Sequence, residues 1–301
     1  MEQENKQSIA YHHLRLVCPK CHRLLLTVQN PERLVCEIHG AYPIKNNLIS
    51  FCSSSETFDL HWSDFAPTDL AKEKLVNAQQ FLKPVKELLS SKSEPLRILD
   101  AGCGDGVHVK LLSNKVDSNS HLTAIDISLD AVRSAQKHGR SDWNYVHGNI
   151  LELPFENDNF DVVFSYGVVA YTGDSAKAIQ EITRVTRPGG YVGVWVYPKR
   201  SWLLHNLFAV TRSIVNILPN TAKRLIADAI VPILWILPTA SGLNLGNATW
   251  KQCREVVLVN IAPDQLKFYT DDEIIGEMEK AGLTIFARDE TAPHTLWARR
   301  R

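Results

Sequence analysis

Three glycines alternate along the chain directly after an acidic residue, in a pattern suited to holding a ligand. The stretch RILDAGCGDGVHVKLL contains Asp100 followed by Gly102, Gly104 and Gly106. Glycines in a turn between a strand and a helix let a ligand approach the backbone, and the helix N-terminus adds N–H donors. The dinucleotide spacing G-x-G-x-x-G fails at Val107, and the Gly-Lys-Ser/Thr of a P-loop is absent. Because a carboxylate is a poor neighbour for a pyrophosphate, we expect a ligand that carries positive charge near its centre.

Two further polar residues follow the next two strand-like runs. Asp126 ends HLTAID, about 20 residues after the glycines, where an acid can accept hydrogen bonds from ribose hydroxyls. Asn149 lies in VHGNI, where its amide oxygen can accept a hydrogen bond from an adenine amino group. Ile127 and Ile150 are expected to flank the adenine ring. A ribose, an adenine and a cationic end together describe S-adenosylmethionine.

Five segments extend this pattern along the chain: ILDAGCGDG, AIDIS, HGNILELPF, FDVVFSYGVVAYT and RVTRPGGYVGVWVY. In their order and spacing the chain resembles the class I S-adenosylmethionine-dependent methyltransferases, type 11-like, over 96–197 and 263–299. The resemblance implies that Asp100 and the glycine turn hold the methionine end, Asp126 the ribose, and Asn149 with Ile150 the adenine. It also implies that Ser165 borders the cofactor. The family commonly has aspartate at position 149, and the amide of asparagine still accepts a hydrogen bond.

A second cluster of chemically capable residues lies near the N-terminus. Cys18-Pro-Lys-Cys21 and Cys36-Glu-Ile-His39 form two knuckles separated by fourteen residues. Two such turns converge to place three thiolates and one imidazole tetrahedrally around zinc. A segment of about 40 residues has too little core to fold unaided, so metal binding is expected to supply its folding free energy. The competing ligands are three other histidines, His12, His13 and His22.

The string LVCPKC…LVCEIHGAYPIKNNLISF is similar to the zinc-ribbon family, which occurs alone, as methyltransferase activators and as N-terminal methyltransferase modules. The family usually has cysteine as the fourth ligand, and this chain has His39. Cys52, Cys103 and Cys253 stay outside the cluster and are interpreted as core or loop thiols.

The elements that must position these residues divide the chain into three regions. We interpret 1–52 as the zinc-ribbon module, 53–94 as a linker followed by a helix, and 95–301 as the methyltransferase domain. Short apolar runs rich in β-branched or aromatic residues suit strands buried on both faces, and helix-period segments separate them. The expected fold is α/β, a doubly wound, Rossmann-like sheet of seven strands with a helical insertion and a small N-terminal zinc ribbon.

Local start and stop patterns refine the helices of this domain. Helices are predicted over 105–115, 128–139 and 173–186. Ser128 is the expected N-cap of the second, and Pro188-Gly189-Gly190 is expected to end the third. Thr270 and Glu273 match a capping box that begins a helix reaching Lys280, with Gly282 at its C-terminal end.

Residues 198–262 interrupt the alternation and are interpreted as a helical cap. A simple sheet needs only a short loop here, and this segment contains helix-like apolar runs. Its seven Lys or Arg outnumber its two Asp or Glu. The cap is therefore expected to roof an apolar acceptor pocket, to meet a carboxylate or phosphate, or to touch a membrane surface peripherally. The alternative is an ordinary helical subdomain whose charges face solvent.

The candidate catalytic residues are Tyr166, Tyr171 and His61. Ser165-Tyr166-Gly167 ends the fourth strand of the domain, where cofactor and acceptor are expected to meet. His61 lies in the segment HWSDF, which precedes the domain. Tyr197 and His205 are further polar aromatic residues expected near the pocket, and for all five a packed ring with one hydrogen bond is the competing interpretation. The Asp/Asn-Pro-Pro-Tyr stretch typical of adenine or amide methylation is absent.

These observations favour methyl transfer to a small, partly apolar or anionic molecule. A ribosomal RNA guanine methyltransferase, which the zinc-ribbon order resembles, is the alternative, but 1–60 contain six basic and six acidic residues, whereas an RNA-reading module is basic. A second alternative is an S-adenosylmethionine-binding regulator without turnover. The whole chain has 33 basic and 33 acidic residues and no long apolar run or signal sequence, so we expect a cytoplasmic protein without a transmembrane segment.

Overall fold

Four short strands fold the N-terminal cysteine segment into an antiparallel ribbon. They are β1 (Leu26–Val28), β2 (Arg33–Cys36), β3 (Gly40–Lys45) and β4 (Leu48–Ser50). Asn46 and Asn47 form the turn between the last two strands, with φ of 52° and 60°. Asparagine tolerates this left-handed conformation, which a tight hairpin turn requires at both central positions.

The computed structural model describes a large part of the chain in thirteen stretches. They are residues 14–28, 32–52, 72–91, 94–117, 119–199, 212, 215, 217–236, 249–250, 253–254, 257–258, 265–288 and 294–301. The chain divides into two units, one comprising Met1–Tyr197 with Tyr269–Arg301 and the other Pro198–Phe268.

Helices and strands alternate after the ribbon. Two helices come first, α1 (Lys72–Phe81) and α2 (Lys83–Ser91). The following elements are β5 (Arg97–Ala101), α3 (Val107–Ser113), β6 (His121–Asp126), α4 (Leu129–His138), β7 (Asn144–His147), β8 (Phe160–Tyr166), α5 (Ser175–Val185) and β9 (Thr186–Trp195). The last elements are α6 (Asn220–Ile236), α7 (Asp271–Lys280), β10 (Leu283–Arg288) and β11 (Thr295–Arg300).

The strands form one sheet in the order β1-β2-β3-β4-β7-β6-β5-β8-β9-β11-β10. Seven of these strands, in the spatial order β7-β6-β5-β8-β9-β11-β10, form the predicted doubly wound sheet. The pairings between β7 and β9 in this order are parallel, and those of β11 with β9 and with β10 are antiparallel. The ribbon extends this sheet to eleven strands, because β4 pairs in parallel with β7. The ribbon and the domain therefore share backbone hydrogen bonds.

The ribbon is also attached at its other end. The Val17 amide donates to the carbonyl oxygen of Pro154 at 3.0 Å, and the Glu156 amide donates to the carbonyl oxygen of Arg15 at 2.9 Å. The side-chain amide of Asn159 donates to the same Arg15 carbonyl at 3.1 Å. Both ends of the ribbon thus contact the part of the chain that follows it.

Local capping patterns explain where the helices begin. Ser128 accepts a hydrogen bond from the amide of Ala131 as the N-cap of α4, as the sequence predicts. Thr270 and Glu273 form the predicted capping box of α7, which ends at Lys280 and is followed by Gly282 at φ +88°. α5 ends at Val185, before Pro188-Gly189-Gly190 as the sequence predicts, and these three residues lie inside β9, which begins directly after the helix.

Large apolar side chains fill the space between the helices and the sheet. Trp143, Tyr145, Phe81 and Phe164 are fully buried members of this core. The central strands β5, β6 and β7 bury nearly every residue, as strands covered on both faces should.

The second unit has a small apolar core of its own. Ala227 and Val231 of α6 pack with Val215, Cys253 and Val257. Within the described residues, no helix combines the length and the apolar character that crossing a membrane requires.

Candidate functional site

Candidate cofactor residues lie at the carboxyl ends of neighbouring parallel strands. Asp100 is in β5 opposite Ala124 of β6 and Phe164 of β8, so it lies where the strand order reverses. In an open parallel sheet, ligands bind in the crevice beyond the strand ends at this switch point. Asp126 ends β6, and Ser165 lies at the end of β8 with a fully buried side chain. The structure thus brings these three predicted residues to one edge of the sheet.

Asp126 organises the backbone of this edge. One carboxylate oxygen accepts from the amide of Gly104 at 3.0 Å and the other from the amide of Ser128 at 2.9 Å. The side chain therefore ties the glycine turn to the start of α4. Each carboxylate oxygen has a further lone pair, so the same group can still accept hydrogen bonds from ribose hydroxyls.

Asp100 differs from Asp126, because its carboxylate oxygens have no hydrogen-bond partner among the described residues. The side chain is 0% exposed. Burial, together with the negative charges of Asp126 and Asp105, raises the pKa of Asp100 well above its usual value. Buried acids normally have partners, so this carboxyl group matches a site that gains a cationic or hydrogen-bonding ligand.

Packing within the protein explains two of the three glycines. A Cβ on Gly102, which has φ +94°, would lie 2.2 Å from Cγ2 of Val168. A Cβ on Gly106, which has φ +83°, would lie 2.6 Å from Cα of Ala135 in α4. The alternation therefore reflects left-handed backbone and close packing against neighbouring elements, in addition to the approach of a ligand.

The residues predicted to contact adenine lie on two loops beside the aspartates. Asn149 caps a short 3-10 turn that begins at Ile150, because its side-chain oxygen accepts from the amide of Leu151 at 2.9 Å. That oxygen has a second lone pair for an adenine amino group. Ile150 is buried, and Ile127, directly after Asp126, is half-buried.

Tyr166 and Tyr171 belong to a run of aromatic rings at the ends of β8 and β9. Tyr166 stacks on Trp195 with centroids 4.6 Å apart and an interplanar angle of 12°. Trp195 contacts Tyr197, and Tyr197 contacts Tyr171, each with edge-on geometry. Burial raises the pKa of Tyr166, so its phenol stays neutral and serves as a hydrogen-bond donor or packed ring rather than a base.

Several predicted residues lie outside the described residues. They are His61, the third catalytic candidate, and His205, His12 and His13.

The four predicted metal ligands converge. Their ligand atoms all lie within 4.8 Å of one another. The sulfur atoms of Cys21 and Cys36 are 3.7 Å apart, and Nδ1 of His39 lies 3.4 Å from Sγ of Cys18 and 3.7 Å from Sγ of Cys36. A tetrahedral zinc ion with bonds of about 2.3 Å to sulfur and 2.0–2.1 Å to nitrogen separates its ligand atoms by roughly 3.6–3.8 Å. The geometry therefore fits zinc, with His39 rather than His22 in the cluster.

Tyr42 supports this cluster. Its hydroxyl lies 3.2 Å from Sγ of Cys18. Burial raises the pKa of Cys18, but hydrogen bonds from Tyr42 and from the backbone at Lys20 and Cys21 outweigh it and lower the pKa to about 6. The thiolate is the form that binds a metal ion.

Sequence reasoning missed Tyr42 and His147 as parts of these sites. Tyr42 lies in the AYPI segment, which is part of the zinc-ribbon resemblance. Its position close after Cys36 and His39 is the signal that could have predicted a tyrosine beside the metal ligands. His147 ends β7, directly before Gly148 and Asn149, and its ring contacts Ser50 of β4. That pairing joins residues 97 positions apart, and no local pattern predicts it.

Comparisons with known proteins agree with this geometry. Residues 99–194 match the family described as a methyltransferase domain. The malonyl-[acyl-carrier protein] O-methyltransferase of Pseudescherichia vulneris is 36% identical over 98 residues, covering 33% of this chain and 38% of the relative. The demethylmenaquinone methyltransferase of Staphylococcus aureus (strain MRSA252) is 35% identical over 99 residues, covering 32% of this chain and 41% of the relative. The match thus spans less than half the length of either relative.

Among solved structures, the CurJ carbon methyltransferase has a TM-score of 0.53 and 13% identity, covering 81% of this chain and 61% of that chain. At that identity the similarity concerns the fold. Residues 99–194 of this chain are therefore similar to methyltransferase domains, and the sheet that contains them has a Rossmann-like fold.

Proposed function

We propose that this protein transfers a methyl group from S-adenosylmethionine to a small, partly apolar or anionic acceptor molecule. The observation that carries the proposal is the buried carboxyl group of Asp100, without a hydrogen-bond partner among the described residues and next to Asp126 at the strand-order reversal. A ligand with an ammonium group and a ribose uses both carboxylates. The methyltransferase family match supports this ligand over other nucleotides.

Each residue of the proposed cofactor site has a separate task. Asp100 and the turn from Gly102 to Gly106 bind the amino-acid end, and Asp126 accepts from the ribose hydroxyls. Asn149 accepts from the adenine amino group, and Ile127 with Ile150 flank the ring. Ser165 borders the site at the end of β8, and its hydroxyl has no hydrogen-bond partner among the described residues.

The bound cofactor supplies a methyl group activated by a positively charged sulfur. Transfer is an in-line displacement, so the protein contributes mainly alignment of the acceptor and exclusion of water. We propose that Tyr166 and Tyr171 align the acceptor, because they offer an aromatic surface and neutral hydrogen-bond donors. The raised pKa of Tyr166 supports this role over proton abstraction.

Two observations support a small acceptor. The relatives of the domain include enzymes named for a malonyl-carrier-protein and a quinone acceptor. The stacked rings of Tyr166 and Trp195, with Tyr197 and Tyr171 beyond, offer apolar and polar aromatic surface at the strand ends. A planar or partly apolar acceptor packs favourably on such rings.

We also propose that Cys18, Cys21, Cys36 and His39 hold a structural zinc ion. The distances between their ligand atoms match a tetrahedral site, and four protein ligands close the coordination sphere. The ion would then stabilise the ribbon and take no part in methyl transfer.

The acceptor class is tested with methyl-tritiated S-adenosylmethionine and a cell lysate separated into small-molecule, protein and nucleic-acid fractions. We expect label in the small-molecule fraction, and no label above background with an Asp126→Ala variant as the control. Label in ribosomal RNA would replace the proposed acceptor by the RNA alternative. Cofactor binding without label in any fraction would favour a regulator without turnover.

A further inference from the structure

His147 joins the N-terminal ribbon to the loop that follows β6. Its side chain is 2% exposed, and Nε2 also lies 3.6 Å from Sγ of Cys52 in addition to the two shorter contacts that follow. Nδ1 lies 2.7 Å from Oγ of Ser50, and Nε2 lies 3.1 Å from the carbonyl oxygen of Ile127. Because a carbonyl oxygen only accepts hydrogen bonds, Nε2 carries the hydrogen and donates it to Ile127. In the neutral ring Nδ1 then accepts the hydrogen bond from the Ser50 hydroxyl, which also has the more distant carbonyl oxygen of Cys52 at 3.2 Å.

The loop held by this histidine carries the proposed adenosine contacts. The amide of Gly148 donates to the carbonyl oxygen of Asp126 at 2.9 Å, and His147 donates to the next carbonyl, that of Ile127. Two consecutive residues at the end of β7 thus hold two consecutive carbonyls of the loop. Since Asp126 is the proposed ribose residue and Ile127 the proposed adenine neighbour, these hydrogen bonds set the geometry of that half of the site.

On its other side, His147 contacts a strand that belongs to the ribbon. Ser50 is opposite His147 in the parallel pairing of β4 with β7. The next residue, Phe51, donates its amide to the carbonyl oxygen of His147 at 2.8 Å, and its ring lies 4.8 Å from that of Tyr42. The hydroxyl of Tyr42 lies 3.2 Å from Sγ of Cys18. A continuous series of contacts therefore runs from the metal cluster to His147.

We propose that His147 is a positioning residue for the adenosine half of the cofactor site, and that Ser50 couples its position to metal binding by the ribbon. The identity of the ligand rests on the proposed function. The ribbon provides two states, because a small metal module folds on binding its ion. Coupling between two ligands is reciprocal, so zinc and cofactor increase each other's affinity by the same factor.

The first test measures the affinity of the full-length, zinc-loaded protein for S-adenosylhomocysteine by titration calorimetry. We expect His147→Ala and Ser50→Ala each to weaken binding about tenfold, because the first removes the hydrogen bond to Ile127 and the second removes the hydrogen bond that holds the His147 ring in place. His147→Gln is the rescue variant, since its amide can donate to Ile127 and accept from Ser50, and we expect affinity within about threefold of wild type.

The matched control is Asn47→Gly. Asn47 also joins the ribbon to the domain, through hydrogen bonds to the carbonyl oxygens of Ser141 and Trp143, away from Ile127. Glycine tolerates its φ of 60°. We expect this variant to lower the melting temperature and to keep wild-type affinity, which separates loss of stability from loss of positioning.

The second test repeats the titrations after removal of zinc with a chelator and after its return as zinc chloride. We expect chelation to weaken S-adenosylhomocysteine binding by wild type, and to weaken binding by Ser50→Ala by a smaller factor, because the coupling is already lost. If chelation weakens binding by the same factor in wild type and in Ser50→Ala, the coupling does not pass through Ser50 and the inference is overturned. If His147→Ala does not fold, Ser50→Ala alone decides.

The outcomes separate this inference from the proposed function. Wild-type affinity in both His147→Ala and Ser50→Ala, with binding lost in Asp126→Ala, overturns the positioning role and leaves the proposed function intact. Absence of S-adenosylhomocysteine binding by the wild-type protein overturns the proposed function itself.

Discussion

Asp100 and Asp126 lie at the carboxyl ends of adjacent parallel strands, but their carboxyl groups have opposite environments. Asp126 accepts hydrogen bonds from two backbone amides, those of Gly104 and Ser128. Asp100 is fully buried and accepts none from the described residues. One acid therefore holds the backbone at this edge of the sheet in place, whereas the other is buried without a compensating hydrogen bond from the described residues.

Asp100→Asn is expected to stabilise the ligand-free protein and weaken its binding to S-adenosylmethionine. The pKa of Asp100 is raised by burial and by two neighbouring acids, so the folded state holds this proton above the pH at which the unfolded chain releases it. Wild type therefore loses stability as pH rises above about 4, and the asparagine variant does not. We expect an advantage of about 1–3 kcal/mol for the variant at neutral pH.

Urea denaturation at a series of pH values, together with calorimetry of cofactor binding, checks both halves of this prediction. Asp130→Asn is a suitable control, because the Asp130 side chain is 44% exposed and pairs only loosely with Arg133, at 3.4 Å. A stability difference between wild type and Asp100→Asn that does not grow with pH would contradict the proposed electrostatic cause.

Asp126→Ala is expected to abolish measurable cofactor binding. The change removes the proposed ribose acceptor and also releases the amides of Gly104 and Ser128 from the carboxylate. Hydrogen bonds to a charged group contribute about 1.5–3 kcal/mol each, so a loss of 100-fold or more in affinity is expected. Calorimetry with S-adenosylhomocysteine measures it, and Asp130→Ala should bind like wild type. Unchanged affinity in Asp126→Ala would remove the ribose assignment.

The ribbon is expected to carry one zinc ion per chain after purification, and a Cys18→Ser, Cys21→Ser double variant is expected to carry none. Thiolates at tetrahedral spacing bind zinc far more strongly than hydroxyls do. Elemental analysis by mass spectrometry measures the metal content. Cys52→Ser, which removes a thiol outside the cluster, should retain the ion. Wild-type protein purified without metal would show that the cluster is not a zinc site.

Gly102→Ala and Gly276→Ala are expected to change stability in opposite directions. The first adds a methyl group 2.2 Å from Val168 at a position with φ +94° and should cost about 2–4 kcal/mol. The second lies within α7 with open space around its Cα, and alanine there should stabilise by about 0.5–1 kcal/mol. Thermal unfolding compares the two variants directly. A neutral Gly102→Ala would mean that the turn can relax away from Val168.

Local patterns in the sequence predicted the starts of several helices closely. Ser128, Thr270 and Glu273 cap the helices that they were expected to begin, since a cap is a contact among residues only a few positions apart. The alternation of strands and helices similarly predicted the doubly wound sheet. The helix before Pro188-Gly189-Gly190 ends at Val185, within one residue of the prediction, but these three residues lie inside β9, where its pairing with β8 is irregular.

The sequence by itself determined the strands, the glycine turn, the strand-end acids and the metal-ligand spacing, because each depends on backbone preferences and residue types within a short stretch. Only the tertiary structure decided that β4 of the ribbon pairs with β7, which brings Ser50 against His147 and His147 against Ile127. Strand pairing between distant segments depends on edges, register and loop closure, and many registers satisfy the same local pattern. The connection between the two candidate sites is therefore a property of the folded chain.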